Sequence, residues 1–341
     1  METPHFIRPK PLTAGSRVAA LSLSSGFVSE VPQRYAAGVR QARESLGWDI
    51  VAAPNAFRGA EYLYTNPQAR ADDLHWALES PEIDGMVSII GGDDSIRLLP
   101  LLDRGLLRAH PKAFLGYSDS TVTLMQFLQA GGMAYHGPAV LTDLAENGGM
   151  HPYAVRSLQQ AFGLGSYQLS PAPEWTQAKQ DWEDETAQQI RRPFEKGDGW
   201  VWLQGGSGEG HLLGGCIEIL DMLSGTPGEL PLDMWHGAVM ALETSNDVPK
   251  PSQVGYWLRN WAAKGVLAQL SGLLLARPRD YTPQMVDELY TWVRRVLKEA
   301  GCEDLPVLAN VDFGHTSPQM TLPLGARVRL DSDAGTVQVW P

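Results

Sequence analysis

Apolar positions in the first part of the chain alternate between two periods. Arg17–Ser24 (RVAALSLS) reads as a buried strand, and Pro32–Leu46 places Tyr35, Val39, Ala42 and Leu46 on one helical stripe. Asp49–Ala53 reads as a short strand and Asn66–Glu79 as a second helix with Pro67 in its first turn. Met86–Ile90 (MVSII) is the continuous apolar kind of strand found inside parallel sheets, followed by Gly91-Gly92 and a helix over Ser95–Leu102. Ala113–Tyr117 is a further strand and Thr121–Gln129 a further helix, stopped by Gly131-Gly132. Strand–helix repeats of this length predict a doubly wound α/β unit with its working residues at the C-terminal strand ends.

The pattern stops between about Ser170 and Gly210, where Trp175, Trp182, Trp200 and Trp202 lie among many charges. A loop this long is usually functional or disordered, and four tryptophans argue against disorder. It reads as a lid or linker that partly orders on a ligand or a partner chain. Beyond it, Ala238–Glu243, Gly272–Ala276 and Val307–Val311 read as strands, and Ile217–Leu223, Ser252–Lys264 and Pro283–Ala300 as helices. Alternation in Gln319–Trp340 around the turn Ser332–Gly335 reads as a hairpin. The expected organisation is an N-terminal α/β domain over 1–165, a Trp-rich linker over 166–210, and a β-rich α/β domain over 211–341.

Composition narrows the functional classes. With 27 Lys+Arg against 39 Asp+Glu, the formal net charge of −12 disfavours nucleic-acid backbones and anionic membrane surfaces as partners, though not a nucleotide as a small ligand. Two cysteines, Cys216 and Cys302, exclude a disulfide scaffold and a cysteine-rich metal site. The start lacks the apolar core of a signal peptide and no apolar run is long enough for a membrane helix, so a cytoplasmic protein is expected.

The sharpest chemical feature is Gly116-Tyr117-Ser118-Asp119-Ser120, between an apolar strand and a helix. Small residues two before and two after a serine let the chain turn sharply and push the hydroxyl out of the sheet. The Asp119 N–H then lies at a helix start, where it can stabilise an oxyanion. The alternative is that Ser118 and Asp119 merely cap the helix. His315 closes Val311–His315 in a strand-end loop, and Glu243 ends a buried strand, where a carboxylate needs a partner. A lone histidine is more commonly a satisfied structural residue, and Glu243 can be an ordinary exposed strand-end glutamate. The diglycine Gly91-Gly92 permits close backbone approach to a ligand or, alternatively, precedes a helix cap at Asp93 or Asp94. The glycine-rich run Gly205–Gly215 lacks the G-K-[ST] of a phosphate loop, and nothing in the sequence points to a metal.

Taken together, Phe114–Thr121 (FLGYSDST), Gly91–Asp103 (GGDDSIRLLPLLD), Gly214-Gly215-Cys216, Leu242-Glu243-Thr244 and Gly314–Ala326 (GHTSPQMTLPLGA) resemble the LD-carboxypeptidase family of serine peptidases, from about Arg17 to Leu330. The resemblance implies Ser118 as nucleophile, Glu243 as orienting carboxylate and His315 as general base. It also implies an oxyanion hole from the N–H groups of Asp119 and Gly92, a site in the cleft between the domains, no cofactor, and a homodimer. One branch of that family trims D-alanine from murein tetrapeptides. The other, a microcin C self-immunity branch, cuts the amide of aminoacyl- or peptidyl-nucleotides, and the long Trp-rich linker resembles this branch, in which an aromatic stacks on the nucleobase. Trp175 and Trp182 are the candidates for that role. Glu218 is a candidate partner for a substrate α-amino group, and Lys250, with Arg191, Arg192 and Lys196, a candidate cation for an anionic one. Asp94 and Cys216-Ile217-Glu218 depart from the branch's pattern. The reading of another class is a non-catalytic small-molecule binder, since two domains around an aromatic-rich cleft also describe a receptor.

Overall fold

The computed structural model describes residues 5–341. The N-terminal strands are β1 (Arg17–Leu21), β2 (Asp49–Ala52), β3 (Gly85–Ser88), β4 (Ala113–Gly116) and β5 (Ala134–His136), all parallel in the order β2-β1-β3-β4-β5. β3 and β4 are buried throughout, as their unbroken apolar runs require. The helices between and after them are α1 (Pro32–Leu46), α2 (Ala60–Thr65), α3 (Pro67–Glu79), α4 (Arg104–Ala109), α5 (Thr121–Gln129) and α6 (Pro152–Phe162). Pro32, Pro67 and Pro152 open α1, α3 and α6, where a missing N–H removes no helical bond. Gly47 at φ 71° closes α1 in the left-handed conformation. The expected helix over Ser95–Leu102 is only a 3-10 turn, Ser95–Leu98, because Pro100 has no N–H to continue the ladder.

The chain continues through β6 (Tyr167–Gln168), β7 (Glu174–Trp175), β8 (Glu195–Lys196), β9 (Val201–Gln204), β10 (Ser207–Cys216), α7 (Ile217–Met222), β11 (Val239–Glu243), α8 (Pro251–Ala263), β12 (Gly272–Ala276), α9 (Pro283–Glu299), β13 (Val307–Val311), β14 (Leu322–Leu324), β15 (Arg327–Asp331) and β16 (Thr336–Trp340). Among the described residues these give an eight-stranded sheet in the order β6-β16-β15-β10-β11-β12-β13-β9, with β10 to β13 parallel. The glycine-rich run is its long strand β10. A Cβ on Gly208, Gly210 or Gly214 would lie 1.7 Å from the Ser271 carbonyl oxygen, 1.7 Å from that of Gly237 and 1.8 Å from that of Ala241. Glycine there allows backbone to meet backbone.

Two boundaries differ from expectation. The 166–210 segment is tied into the folded body: β6 pairs with β16, β9 pairs with β13, and Thr176 exchanges backbone hydrogen bonds with Ser317. The segment after His315 does not stay with its own sheet. β14 crosses to lie antiparallel on β5, with Leu322 opposite His136, and becomes the sixth strand of the N-terminal sheet. This crossing fixes the loop carrying His315 against the sheet carrying Ser118. No helix of the described residues is long and apolar enough to cross a membrane.

Candidate active site

Ser118 follows the last residues of β4 and starts a single 3-10 turn that runs into α5. Its φ of 58° is left-handed, a conformation that costs a non-glycine residue about 1–2 kcal/mol and is kept where the surroundings enforce it. The flanking small residues have a steric reason. A Cβ on Gly116 would lie 2.9 Å from that of Ser120 and 3.0 Å from that of Ser88, and the Ser120 hydroxyl donates to Ser88 Oγ at 2.9 Å. The tight turn thus holds with serine at the position where the commoner pattern has glycine.

Glu243 is the last residue of β11, and His315 lies in the loop between β13 and β14. Although 72 and 197 residues separate the pairs, His315 Nδ1 is 2.6 Å from Glu243 Oε2 and His315 Nε2 is 3.1 Å from Ser118 Oγ. Burial alone would raise the Glu243 pKa, but the adjoining His315 and His136 outweigh it and bring it to about 2. An ionised carboxylate only accepts, so Nδ1 carries the imidazole proton and Nε2 is left to accept from the Ser118 hydroxyl. Gly314, at φ 87°, makes room for this pair: a Cβ there would lie 2.7 Å from Glu243 Cβ and 2.8 Å from its Oε2. Tyr117 sets its ring edge-on to His315, with 4.9 Å between centroids. His136, buried on β5, places Nε2 3.5 Å from the other Glu243 oxygen. His136 is the last residue of β5, and nothing in the sequence names Glu243 as its partner.

The diglycine loop and the Asp119 N–H lie beside Ser118. A Cβ on Gly91 would sit 3.0 Å from Ser118 Oγ and 3.7 Å from the Asp119 nitrogen, so the missing side chain leaves a space facing both. Gly92 packs against Ser24, whose carbonyl would be 3.0 Å from a Cβ there. The Ser95 N–H donates to Asp119 Oδ2 at 3.0 Å, and the Ser95 hydroxyl donates to the Asp119 carbonyl at 2.8 Å. These bonds clamp the diglycine loop to the serine turn. Asp94 lies in the same loop but takes no part in the cleft wall, being held by Arg70 Nη1 at 2.6 Å and Nη2 at 3.2 Å.

A cleft of about 890 Å³ opens above these groups, walled by Gly91, Gly92, Tyr117, Asp143, Trp182, Glu218, Asp247, Arg279 and His315, among others. Glu218 is therefore in place: Oε1 accepts from the Ser245 N–H at 2.8 Å and Oε2 from the Cys216 thiol at 3.2 Å. Burial, with Glu243 and Glu218 nearby, pushes the Cys216 thiol well above its usual range, so it stays protonated. Trp182 is also among the residues that line the cleft.

Two expectations are corrected. Trp175 does not line the cleft; its ring instead covers the buried Arg277 guanidinium, 4.7 Å away, which is paired with Asp312. Lys250 is exposed at the N-terminal cap of α8, off the cleft wall. The proline that opens α8 begins the helix there and leaves Lys250 outside. The cations on the wall are Lys179, Arg192 and Arg279, with Arg192 already paired to Glu146. Arg191 pairs with Glu174 instead. Asp143, which no sequence motif marks, is buried, and burial with nearby Glu146 lifts its pKa to about 6 against the pull of the Gln319 N–H. Among the described residues no group of three or more His, Cys, Asp or Glu is placed to hold a metal ion.

A serine on a strained strand-to-helix turn, a histidine whose free nitrogen faces it, and a buried carboxylate behind the histidine make up the constellation of nucleophilic hydrolases. The family models agree with that class. The LD-carboxypeptidase N-terminal domain matches residues 18–137 and the LD-carboxypeptidase C-terminal domain matches residues 209–330, so the chain belongs to the LD-carboxypeptidase family of serine peptidases. Among its relatives, the microcin C7 self-immunity protein MccF of Escherichia coli is 24% identical over 98% of this chain and 96% of its own length. The murein tetrapeptide carboxypeptidase of Pseudomonas aeruginosa is 25% identical over 93% of this chain and 94% of its own. In structure, an MccF-like protein from Streptococcus pneumoniae in complex with AMP superposes with a TM-score of 0.85 at 27% identity, covering 95% of this chain and 98% of that one.

Proposed function

We propose that this enzyme hydrolyses the amide of an aminoacyl- or peptidyl-nucleotide through a Ser118–His315–Glu243 triad. The observation that carries the reading is the hydrogen-bonded chain from Glu243 through His315 to Ser118, lying at the base of a cleft with Trp182 on its wall. His315 Nε2 takes the Ser118 proton as Oγ attacks the scissile carbonyl, and Glu243 stabilises the imidazolium that forms. The N–H groups of Asp119 and Gly92 donate hydrogen bonds to the developing oxyanion. The tetrahedral intermediate collapses as His315 returns the proton to the leaving nitrogen. Water, deprotonated in turn by His315, then releases the acyl group from Ser118.

The walls favour a substrate carrying both charges and a flat ring. Glu218 keeps lone pairs free for an α-amino group, and Arg279, whose Nη1 donates to the His315 carbonyl at 3.3 Å, lies beside the reacting centre for an anionic linkage. Trp182 offers a purine a surface to stack on; a murein tetrapeptide carries no aromatic group for it. The AMP bound to the pneumococcal relative supports the same side of the choice, whereas the Pseudomonas relative is named for murein tetrapeptides. The deciding experiment offers an aminoacyl adenosine amide and a murein tetrapeptide at equal concentration and compares kcat/KM. We expect the nucleotide substrate to be cleaved faster. Release of D-alanine with no cleavage of the adenosine compound would replace this reading with murein tetrapeptide trimming. Cleavage of neither, with both bound, would favour a binding protein.

A further inference from the structure

Trp182 belongs to a segment with little regular structure, yet two residues of α1 hold it, one of them also through Gln180. Arg34, 1% exposed on that helix, spreads its guanidinium over oxygens from separate segments. Nε donates to the Leu141 carbonyl at 2.7 Å, Nη1 to Asn147 Oδ1 at 3.0 Å and Gln188 Oε1 at 2.8 Å, and Nη2 to Gln180 Oε1 at 2.7 Å. The same Gln180 oxygen accepts the Trp182 indole N–H at 3.1 Å, which fixes the edge of the ring. Arg34 Cζ stands 4.8 Å from the Trp182 ring centroid, which occupies one face. One residue earlier on α1, Gln33 Nε2 donates to the Trp182 carbonyl at 3.0 Å. Edge, face and backbone of Trp182 are thereby tied, directly or through Gln180, to a helix of the N-terminal domain, while the residue still lines the cleft.

We propose that Arg34 is a positioning residue that presents Trp182 as a preset stacking platform for the nucleobase half of the substrate; this rests on the nucleotide reading above. A loop ordered before binding does not lose its conformational freedom when ligand arrives, so affinity gained by stacking is retained. Only a planar fork can reach these four oxygens and cover the ring at once; a lysine, with a point charge on a flexible stem, cannot. Arg34 touches neither the scissile bond nor Ser118, so its contribution belongs to binding.

The test measures AMP binding by calorimetry for wild type, Trp182→Ala, Arg34→Lys and the double variant, together with kcat and KM for the aminoacyl adenosine amide. Trp182→Ala is expected to weaken AMP binding about 5- to 150-fold, the range of a lost base–aromatic stack. Arg34→Lys is expected to weaken it at least about fivefold, with the loss in KM rather than kcat, and the double variant to bind no worse than Trp182→Ala, because both changes remove one interaction. Gln180→Leu, which deletes only the bridging oxygen, is read the same way should Arg34→Lys not fold. Wild-type AMP affinity in Arg34→Lys and Gln180→Leu, beside a loss in Trp182→Ala, would overturn the role of Arg34 and leave the nucleotide reading intact. Fully additive losses would also overturn it. Wild-type affinity in Trp182→Ala, or no AMP binding by the wild type, would instead defeat the nucleotide reading.

Discussion

Alanine at Gly314 perturbs the triad without touching any member of it. The new methyl would stand 2.8 Å from Glu243 Oε2 and 2.7 Å from Glu243 Cβ, and ordinary contact begins at 3.4 Å, so the carboxylate must retreat by about 0.6 Å. That oxygen is the one 2.6 Å from His315 Nδ1, so the retreat lengthens or breaks the bond that holds the imidazole tautomer. Misplacement by about 1 Å costs catalysis on the order of 10²-fold, so a fall in kcat of about 10- to 100-fold is expected. The residue also sits at φ 87°, where alanine costs about 1–2 kcal/mol of stability by itself. Gly15 separates the two effects, since it shares the φ of 87° but has nothing within 4 Å of its Cβ position. Gly15→Ala should lose similar stability in denaturant unfolding and keep full turnover. Wild-type kcat in a folded Gly314→Ala enzyme would refute the argument that this glycine exists to let the carboxylate reach His315.

Other outcomes follow from the same geometry. Asp143, with a folded pKa of about 6, binds its proton more tightly than an unfolded aspartate near 3.9, so native stability declines as pH rises through that interval and stays lower above it. Asp143→Asn should therefore be more stable than wild type at pH 7.5, by up to about 3 kcal/mol, and lose that advantage at pH 4 in urea titrations; an advantage independent of pH would contradict this. Arg279→Ala should raise KM for the nucleotide substrate while Lys250→Ala leaves it unchanged, as steady-state kinetics would show; the reverse would restore Lys250 as the anion partner.

How far the sequence disclosed the site depends on how local each signal is. Ser118 stands out because the turn requirement falls within five residues, Glu243 because it ends a buried strand and His315 because it sits in the loop just past one, but their roles came from the family resemblance. Their convergence is not local. It depends on β14 leaving its own sheet to pair with β5, and an alternating Met320–Leu324 says only that a strand exists, not which sheet receives it. β10 was hidden because its glycines serve backbone contact, whereas strand propensity reads side-chain packing. The partners of Arg34 and His136 are not legible for a related reason. Each lies in an ordinary helix or strand pattern, and only the packed chain shows that one reaches Trp182 and the other Glu243. Trp175 and Trp182 share composition and segment, so sequence could not say that one covers Arg277 and the other faces the cleft.

The most direct measurement of the central claim is labelling with a fluorophosphonate probe, followed by peptide mass spectrometry. The account predicts one adduct, on Ser118, which disappears in Ser118→Ala and forms at least about 10³-fold more slowly in His315→Ala, the scale on which triad members contribute. An adduct on another residue, or no adduct on a folded wild-type enzyme, would contradict the assignment of Ser118 as the nucleophile.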